Sequence, residues 1–211
     1  GEGSSRATEI PWDRNAHSGS SQSSAARFAP FPALVPPVVF SRGNHTLLEL
    51  PGVAFAGSRN ASPKGIEITV ACVKQLVPQS VNIISGYANG VDLAAHQIAL
   101  EQGGCTTLVL AEGILRFKAK PSLAAVIREE QALILSQFPP RMTWSAGNAM
   151  QRNSLILALS RALVVIESGM DGGTWSAAET ALRHHVPVFV VDYGSPPESA
   201  SGNRLLIERG G

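Results

Sequence analysis

Residues 81–110 have the sequence VNIISGYANGVDLAAHQIALEQGGCTTLVL, which contains the unit that decides the fold. An apolar, β-branched run at Val81–Ser85 is followed by a helical pattern over Val91–Gln102 and then by a second apolar run at Thr106–Leu110. A Gly-Gly pair at 103–104 stands where a helix ends. The stretch therefore predicts two parallel strands joined by a crossover helix.

The same alternation of apolar runs and helical patterns extends in both directions from this unit. The runs are almost continuously apolar, as expected for strands covered on both faces. We therefore predict an α/β fold, Rossmann-like and doubly wound, with a mostly parallel sheet and helices on both faces. The predicted strands are Val53–Ala56, Val81–Ser85, Thr106–Leu110, Ala132–Ser136, Ala162–Glu167 and Val186–Val191, and the predicted helices are Pro63–Leu76, Val91–Gln102, Ser122–Glu130, Asn148–Leu159 and Thr174–His184.

The composition of the 211-residue chain suits one domain with a sizeable core. Its 17 Lys and Arg residues and 16 Asp and Glu residues give a formal net charge of +1, so nucleic-acid binding would need a local cluster of cations. Cys72 and Cys105 lack the spacing of a metal site or a disulfide framework and are expected to be reduced. No targeting or membrane-spanning pattern is present, so we expect a cytoplasmic protein without metal or cofactor.

The amino-terminal residues differ in composition from the rest. Residues 1–30 are rich in serine and glycine without an apolar period, which predicts a flexible leader. Residues 31–50 contain recurring prolines and are expected to form an extended arm that leads into the domain, which then covers residues 51–211. The chain begins with glycine rather than methionine, so we expect its natural ends to lie elsewhere.

Three glycine-containing loops each follow a predicted strand and precede a predicted helix. Open parallel sheets bind ligands beyond the carboxyl ends of their strands, and a helix N-terminus there offers free N–H groups to an anion. Although one such loop alone could be a simple tight turn, three of them predict a phosphate pocket, to which Arg59 adds a planar cation. The candidate residues are Gly57, Ser58, Arg59, Ser85, Gly86, Ala88, Asn89, Gly90, Gly172, Gly173 and Thr174.

A fourth loop carries the cations Arg116, Lys118 and Lys120 around Phe117. Cations interleaved with an aromatic ring are typical of proteins that bind single-stranded nucleic acid, where they attract the backbone and stack on bases. The alternative is a solvated basic loop whose Phe117 lies in the core. Further aromatic residues that could either stack or pack are Trp144, Trp175 and Tyr87.

Several polar residues could face the same pocket. Arg152 and Asn153 lie near the first turn of a predicted helix, although Arg152 could instead form a surface ion pair. Glu167 ends an apolar strand and is expected to point at the pocket or to pair with Arg152. Asp92 and His96 lie four residues apart and could hydrogen-bond to each other; we expect Asp92 to cap its helix or orient the glycine loop and His96 to be structural. No nucleophile with a positioned base is evident, so no catalytic residue is predicted.

Taken in order, five motifs resemble those of the DprA/Smf family of DNA-processing proteins. The resemblance covers about residues 34–211, and its most specific part is the Ser-Gly-x-Ala-x-Gly-x-Asp-x-x-Ala-His run that starts at Ser85. The five motifs are Gly57-Ser58-Arg59, Ser85 to His96, Gln151-Arg152-Asn153, Val164-Val165-Ile166-Glu167 and Gly202-Asn203-Arg204-Leu205-Leu206-Ile207.

The resemblance implies a homodimeric, non-enzymatic protein that binds and protects single-stranded DNA and loads the RecA recombinase onto it during natural transformation. Lys118 and Lys120 would extend the DNA track. By position, the resemblance implies that DNA phosphate is gripped by Ser58, Arg59, Gly86, Ala88, Gly90, Arg152 and Asn153.

A second resemblance gives the alternative functions. Gly172-Gly173-Thr174 is similar to the P-G-G-x-G-T-x-x-E loop of the LOG-type phosphoribohydrolases of nucleoside monophosphates, and Met150 and Arg152 also match that pattern. The glutamate of that loop falls three residues after the threonine, whereas Glu179 falls five after Thr174, which rotates a helical position by about 200°. The alternatives are therefore a LOG-like hydrolase or a nucleotide-sensing protein of the same superfamily.

Overall fold

The computed structural model describes Leu34 and residues 36–211, and within them seven strands form a single sheet. The spatial order is β1-β5-β4-β3-β2-β6-β7, in which β1 is antiparallel to β5 and every other pair is parallel. The strands are β1 (Phe40–Gly43), β2 (Gly52–Ala56), β3 (Asn82–Ser85), β4 (Cys105–Val109), β5 (Ala132–Ser136), β6 (Ala162–Val165) and β7 (Val188–Val190).

Helices cover both faces of this sheet. Successive residues of a strand point to opposite faces of the sheet and pack in different core clusters. In β2, for example, Phe55 packs with residues of Pro63–Leu76 and Val91–Glu101, while Ala54 packs with residues of Ala146–Ala158 and Gly172–Arg183. The α-helices are α1 (Pro63–Leu76), α2 (Val91–Glu101), α3 (Pro121–Ala124), α4 (Ala146–Ala158), α5 (Gly172–Arg183) and α6 (Asn203–Glu208), and 3₁₀ turns occupy His45–Glu49, Val77–Gln79, Ile114–Arg116, Glu129–Gln131 and Glu198–Ala200. The predicted doubly wound α/β fold is confirmed.

The chain order of the strands places a crevice between β2 and β6. From β2 the chain builds outward through β3 and β4 to β5, and it then returns to add β6 and β7 on the other side. The loops that leave β2 and β6 therefore diverge to opposite faces, which opens the sheet edge at their carboxyl ends. No helix of the described residues has the length and hydropathy needed to cross a membrane.

Most of the predicted strands and helices begin and end within two residues of their observed bounds. The Ser62 side chain accepts from the Gly65 N–H at 3.0 Å and caps α1, as Ser62 and Pro63 in sequence indicate. The helix predicted over Ser122–Glu130 is wrong, because α3 ends at Ala124. The β-branched residues Val126 and Ile127 turn into the core cluster around Leu123 instead of continuing the helix.

The segment expected to form an extended arm contributes to the sheet. Phe40–Gly43 pairs with β5, and Leu47 and Leu48 of the following 3₁₀ turn are buried in the core. The predicted leader over residues 1–30 lies outside the described residues and stays a prediction.

His96 on α2 joins three parts of the fold as a fully buried side chain. Its Nε2 donates to the carbonyl oxygen of Gly86 at 2.6 Å, and its Nδ1 lies 2.6 Å from the Thr106 hydroxyl on β4. The hydrogen bond to Asp92 that the spacing allows does not form, and the prediction of a structural His96 agrees with its contacts. Burial lowers the pKa of His96 from 6.5 to about 4.

This shift predicts a pH dependence of stability. Between pH 6.5 and about 4 the unfolded chain holds a proton on His96 that the folded chain does not. The free energy of unfolding is therefore expected to fall as pH drops through this window, by on the order of 3 kcal/mol at its lower end. Urea unfolding of the wild type and of His96→Gln at several pH values measures this contribution as a difference. Parallel pH profiles for the two proteins would contradict it.

Candidate functional site

A cavity of about 610 Å³ occupies the crevice between β2 and β6. The loops that follow β2, β3 and β6 line it together with one side of α4 and the start of α5. The three glycine loops predicted to converge therefore do so at one edge of the sheet.

Backbone contacts join the loop after β2 to the loop after β3. The N–H of Val91 donates to the Ser58 carbonyl oxygen at 3.3 Å. Gly90 has φ +74°, and a Cβ there would lie 2.2 Å from the same oxygen, so a side chain would push the two loops apart. Asp92 Oδ2 accepts from the Ala88 N–H at 3.2 Å. Asp92 thus orients the glycine loop, which was one of its two predicted roles.

Arg152 places a buried, unpaired charge at the centre of the site. Its residue is 7% exposed, its Nε has no hydrogen-bond partner, and no carboxylate of the described residues lies within ion-pair distance of its guanidinium. Burial lowers the pKa of Arg152, the negative charge of Asp92 raises it and the positive charge of Arg59 lowers it again. A buried guanidinium without a contacting anion is costly, so the cavity is electrostatically suited to an anionic ligand.

Gly86 makes room for this guanidinium. A Cβ on Gly86 would lie only 1.7 Å from Arg152 Nη1, so only a residue without a side chain lets the planar group lie against the backbone. The predicted role of Gly86 was a direct backbone approach to phosphate; the structure shows that it also admits Arg152.

A second cavity, of about 270 Å³, adjoins the first and shares Arg59, Ala88 and Arg152 with it. The Arg59 guanidinium lies 5.5 Å from the centre of the Trp144 ring, in a cation–π arrangement, and pairs with no carboxylate of the described residues. Trp144 is 51% exposed. A cation and an open aromatic surface therefore stand side by side between the two cavities.

The N-terminus of α5 forms another wall of the larger cavity. Its N-cap residue, Asp171, makes no side-chain capping bond, and Gly172 begins the helix with φ +83°. Asn153 Nδ2 donates to the Gly173 carbonyl oxygen at 3.1 Å and so ties α4 to this helix start. Unbonded N–H groups at the start of α5 thus meet the same space as Arg152.

Glu167 is fully buried at the base of the larger cavity but does not neutralise Arg152. Its carboxylate accepts from the Ser62 N–H at 3.0 Å, from the Ser62 hydroxyl, and from the Tyr193 hydroxyl at 3.3 Å. Burial and the charge of Glu167 both raise the pKa of Tyr193. The expected pairing of Glu167 with Arg152 is therefore wrong, because the N-terminus of α1 holds this carboxylate.

The other candidates line the larger cavity, the second cavity or neither. Ser85 and Lys118 line neither: Ser85 is buried and donates to the Phe55 carbonyl oxygen at 2.6 Å, and Lys118 is exposed outside both cavities. The second cavity is lined by Asn89 and Lys120. The larger cavity is lined by Gly57, Ser58, Arg59, Gly86, Ala88, Arg152, Asn153, Gly172, Gly173 and Thr174.

Two aromatic candidates belong to the core. Phe117 is 8% exposed and its ring centre lies 5.3 Å from that of Tyr87, so the prediction that it stacks on bases is wrong. Trp175 is 9% exposed, and Arg209 lies over its ring. Glu112, which the sequence analysis did not select, lines the second cavity. Only its position after a strand pointed to the site.

Among residues 36–211 and Leu34, no cluster of three or more His, Cys, Asp or Glu side chains could hold a metal ion. The glycine loops, the helix N-termini and the unpaired arginine define an α/β protein of Rossmann-like topology whose switch point carries groups suited to an anion.

The comparisons with known proteins identify the family. The family model for DNA recombination-mediator protein A matches residues 27–211, so the chain belongs to that family. DNA processing protein DprA of Streptococcus pneumoniae is 33% identical over 177 residues, which are 83% of this chain and 62% of that protein. Protein Smf of Escherichia coli is 29% identical over 83% of this chain and 47% of its own length. The chain thus spans about half to three fifths of these relatives.

Two solved structures have the same fold. The X-ray structure of DprA from Streptococcus pneumoniae matches with a TM-score of 0.76 at 30% identity, over 84% of this chain and 64% of that one. DprA from Helicobacter pylori, studied for its mode of single-stranded DNA binding, matches with a TM-score of 0.74 at 27% identity, over 89% of this chain and 84% of that one.

The contact between Gly86 and Arg152 predicts a stability effect. Gly86→Ala is expected to lower the free energy of unfolding by about 1–3 kcal/mol, because the new methyl group must displace the buried guanidinium. Gly147→Ala, in the first turn of α4 with open space around it, is the matched control and should not destabilise the protein. Urea unfolding compares the two variants. Equal effects at both positions would show that Gly86 is not specially constrained.

Proposed function

We propose that the protein binds single-stranded DNA and that a backbone phosphate of the strand contacts Arg152. The observation that supports this most strongly is the buried guanidinium, which lies in an open cavity with no carboxylate of the described residues in contact. A phosphodiester supplies the missing negative charge and accepts hydrogen bonds in the fork geometry that a guanidinium offers.

The neighbouring groups suit a continuous sugar-phosphate chain. Arg59 offers a second cation next to the larger cavity, and the Ser58 hydroxyl lies in the same loop. The start of α5 adds N–H donors and a positive helix dipole on the other side. Groups on both walls of the crevice can therefore contact successive phosphates. The exposed ring of Trp144 offers a stacking surface to a base.

The wider role is proposed from family membership. We propose that the protein acts as a homodimer that protects single-stranded DNA and transfers it to the RecA recombinase during natural transformation, without cleaving the DNA. Lys118, which is exposed beyond both cavities, would serve this role as an extension of the DNA track.

A nucleotide ligand is the second candidate, because the loop at Gly172–Thr174 and Arg152 line one cavity of about 610 Å³. The hydrolase version of this hypothesis would need a glutamate in the cavity, however, and Glu179 does not supply it. Glu179 accepts from Arg209 at 2.7 Å and does not line the cavity. Thermal shift with a panel of nucleoside monophosphates tests binding, and assay of free base tests hydrolysis.

Replacing Arg152 should separate binding from stability. Arg152→Met is expected to raise the free energy of unfolding by roughly 1–3 kcal/mol, because a buried unpaired charge is removed. The same change should weaken binding of oligo(dT) at least about tenfold and reduce the slope of log K against log salt concentration by about one. Fluorescence anisotropy over a salt series measures affinity and slope, and urea unfolding measures stability.

Arg161→Met is the matched control, because Arg161 is exposed at the amino end of β6, on the opposite edge of the sheet. It should change neither quantity appreciably. Undiminished binding of oligo(dT) by Arg152→Met at moderate salt would refute the proposed role of this residue.

A further inference from the structure

The second cavity has features that the binding of phosphate does not require. Its volume of about 270 Å³ is less than half that of the first cavity, which suits one planar ring better than a length of DNA backbone. It opens beside the exposed ring of Trp144 and the guanidinium of Arg59. A base that belongs to a strand held at Arg152 would therefore meet this cavity first, because Arg152 and Arg59 line both spaces.

Glu112 is an unexpected group in such a place. A carboxylate repels DNA phosphate, yet this one lines the cavity beside three cations that line it too, Arg59, Lys120 and Arg152. Its side chain has no hydrogen-bond or ion-pair partner among the described residues. Partial burial raises the pKa of Glu112 and the positive charge of Arg116 lowers it in part, so the carboxylate has lost some of its hydration without gaining a hydrogen-bond donor in exchange.

Hydrogen bonds hold the backbone on both sides of Glu112. The Glu112 carbonyl oxygen accepts from the Ser136 hydroxyl at 2.6 Å, and the next N–H, of Gly113, donates to the Met142 carbonyl oxygen at 2.9 Å. A Cβ on Gly113 would lie 2.2 Å from the Pro139 carbonyl oxygen, so the two loops are in close contact here. These backbone contacts on both sides of Glu112 fix the point from which its side chain extends at the wall of the second cavity.

Asn89 supplies the complementary donor. Lys120 Nζ donates to Asn89 Oδ1 at 2.7 Å and to the Tyr87 carbonyl oxygen at 3.1 Å, which fixes the amide with its oxygen toward the lysine. The Nδ2 hydrogens of Asn89 have no acceptor among the described residues and remain available to a ligand. The cavity thus presents a pair of carboxylate acceptors and an amide donor.

We propose that the second cavity holds one base of the bound strand and that Glu112 selects guanine over thymine there. The Watson–Crick edge of guanine carries two adjacent donors, N1–H and N2–H, which match the two oxygens of a carboxylate, and its O6 accepts from the Asn89 amide. Thymine presents a single N3–H between two carbonyl oxygens, which a carboxylate repels. Adenine and cytosine each offer one amino group and rank between the two. This inference rests on the proposed binding of single-stranded DNA.

The test is the ratio of two dissociation constants, because a ratio cancels the general effect of charge on DNA affinity. Fluorescence anisotropy compares oligo(dT) with an alternating guanine–thymine oligonucleotide of the same length. The wild type should bind the guanine-containing strand roughly tenfold more tightly. In Glu112→Gln, which keeps the side-chain size but replaces one acceptor by a donor, the ratio should fall close to one.

Glu129→Gln is the control, because Glu129 is exposed before β5, at the opposite edge of the sheet, and pairs with Arg42. It should keep the wild-type ratio. Asn89→Ala is a second variant with an intact Glu112, and it should lower the ratio partially. Thermal unfolding of each variant verifies that it is folded.

Equal affinity of the wild type for the two strands would overturn the inference and leave the proposed function standing. A guanine preference that survives in a folded Glu112→Gln would also overturn it. Failure of the wild type to bind either strand would instead refute the proposed function itself.

Discussion

The buried guanidinium of Arg152, lying against Gly86 with no carboxylate of the described residues in contact, sets the conditions for the rest of the crevice. Burying a charge without a contacting partner opposes folding, so other interactions of the domain must offset this cost. The group lines an open cavity, which leaves it within reach of a ligand. A bound anion would recover the lost interaction, so ligand binding and stability are coupled at this one residue.

The sheet topology explains why this charge is not cancelled from within. Glu167 reaches the same crevice from β6, yet the start of α1 holds its carboxylate through Ser62. Two buried opposite charges thus share one cavity without forming an ion pair. The N-terminus of α1 holds Glu167, whereas Arg152 has no contacting carboxylate of the described residues and is left for the proposed ligand. Had the two paired, the carboxylate would occupy the N–H donors of the Arg152 guanidinium that a phosphate could otherwise use.

The sequence was informative wherever local chemistry determined the outcome. Helix α1 has its predicted bounds because a serine cap and a first-turn proline define its start. Convergence of the glycine loops followed from parallel topology alone. Contacts between side chains that lie far apart in the sequence could not be predicted from such local patterns. The hydrogen bonds from Ser62 to Glu167 and the packing of Phe117 against Tyr87 have no signature in sequence spacing. The same holds for Glu112, because the cavity that it lines exists only in the folded chain.

A structure of the protein in complex with a short oligo(dT) would show where the strand binds. We expect a backbone phosphate in the crevice between β2 and β6, with its oxygens within hydrogen-bond distance of the Arg152 guanidinium and near the start of α5. A strand bound on another face, with the crevice empty and Arg152 still without an anion, would contradict it.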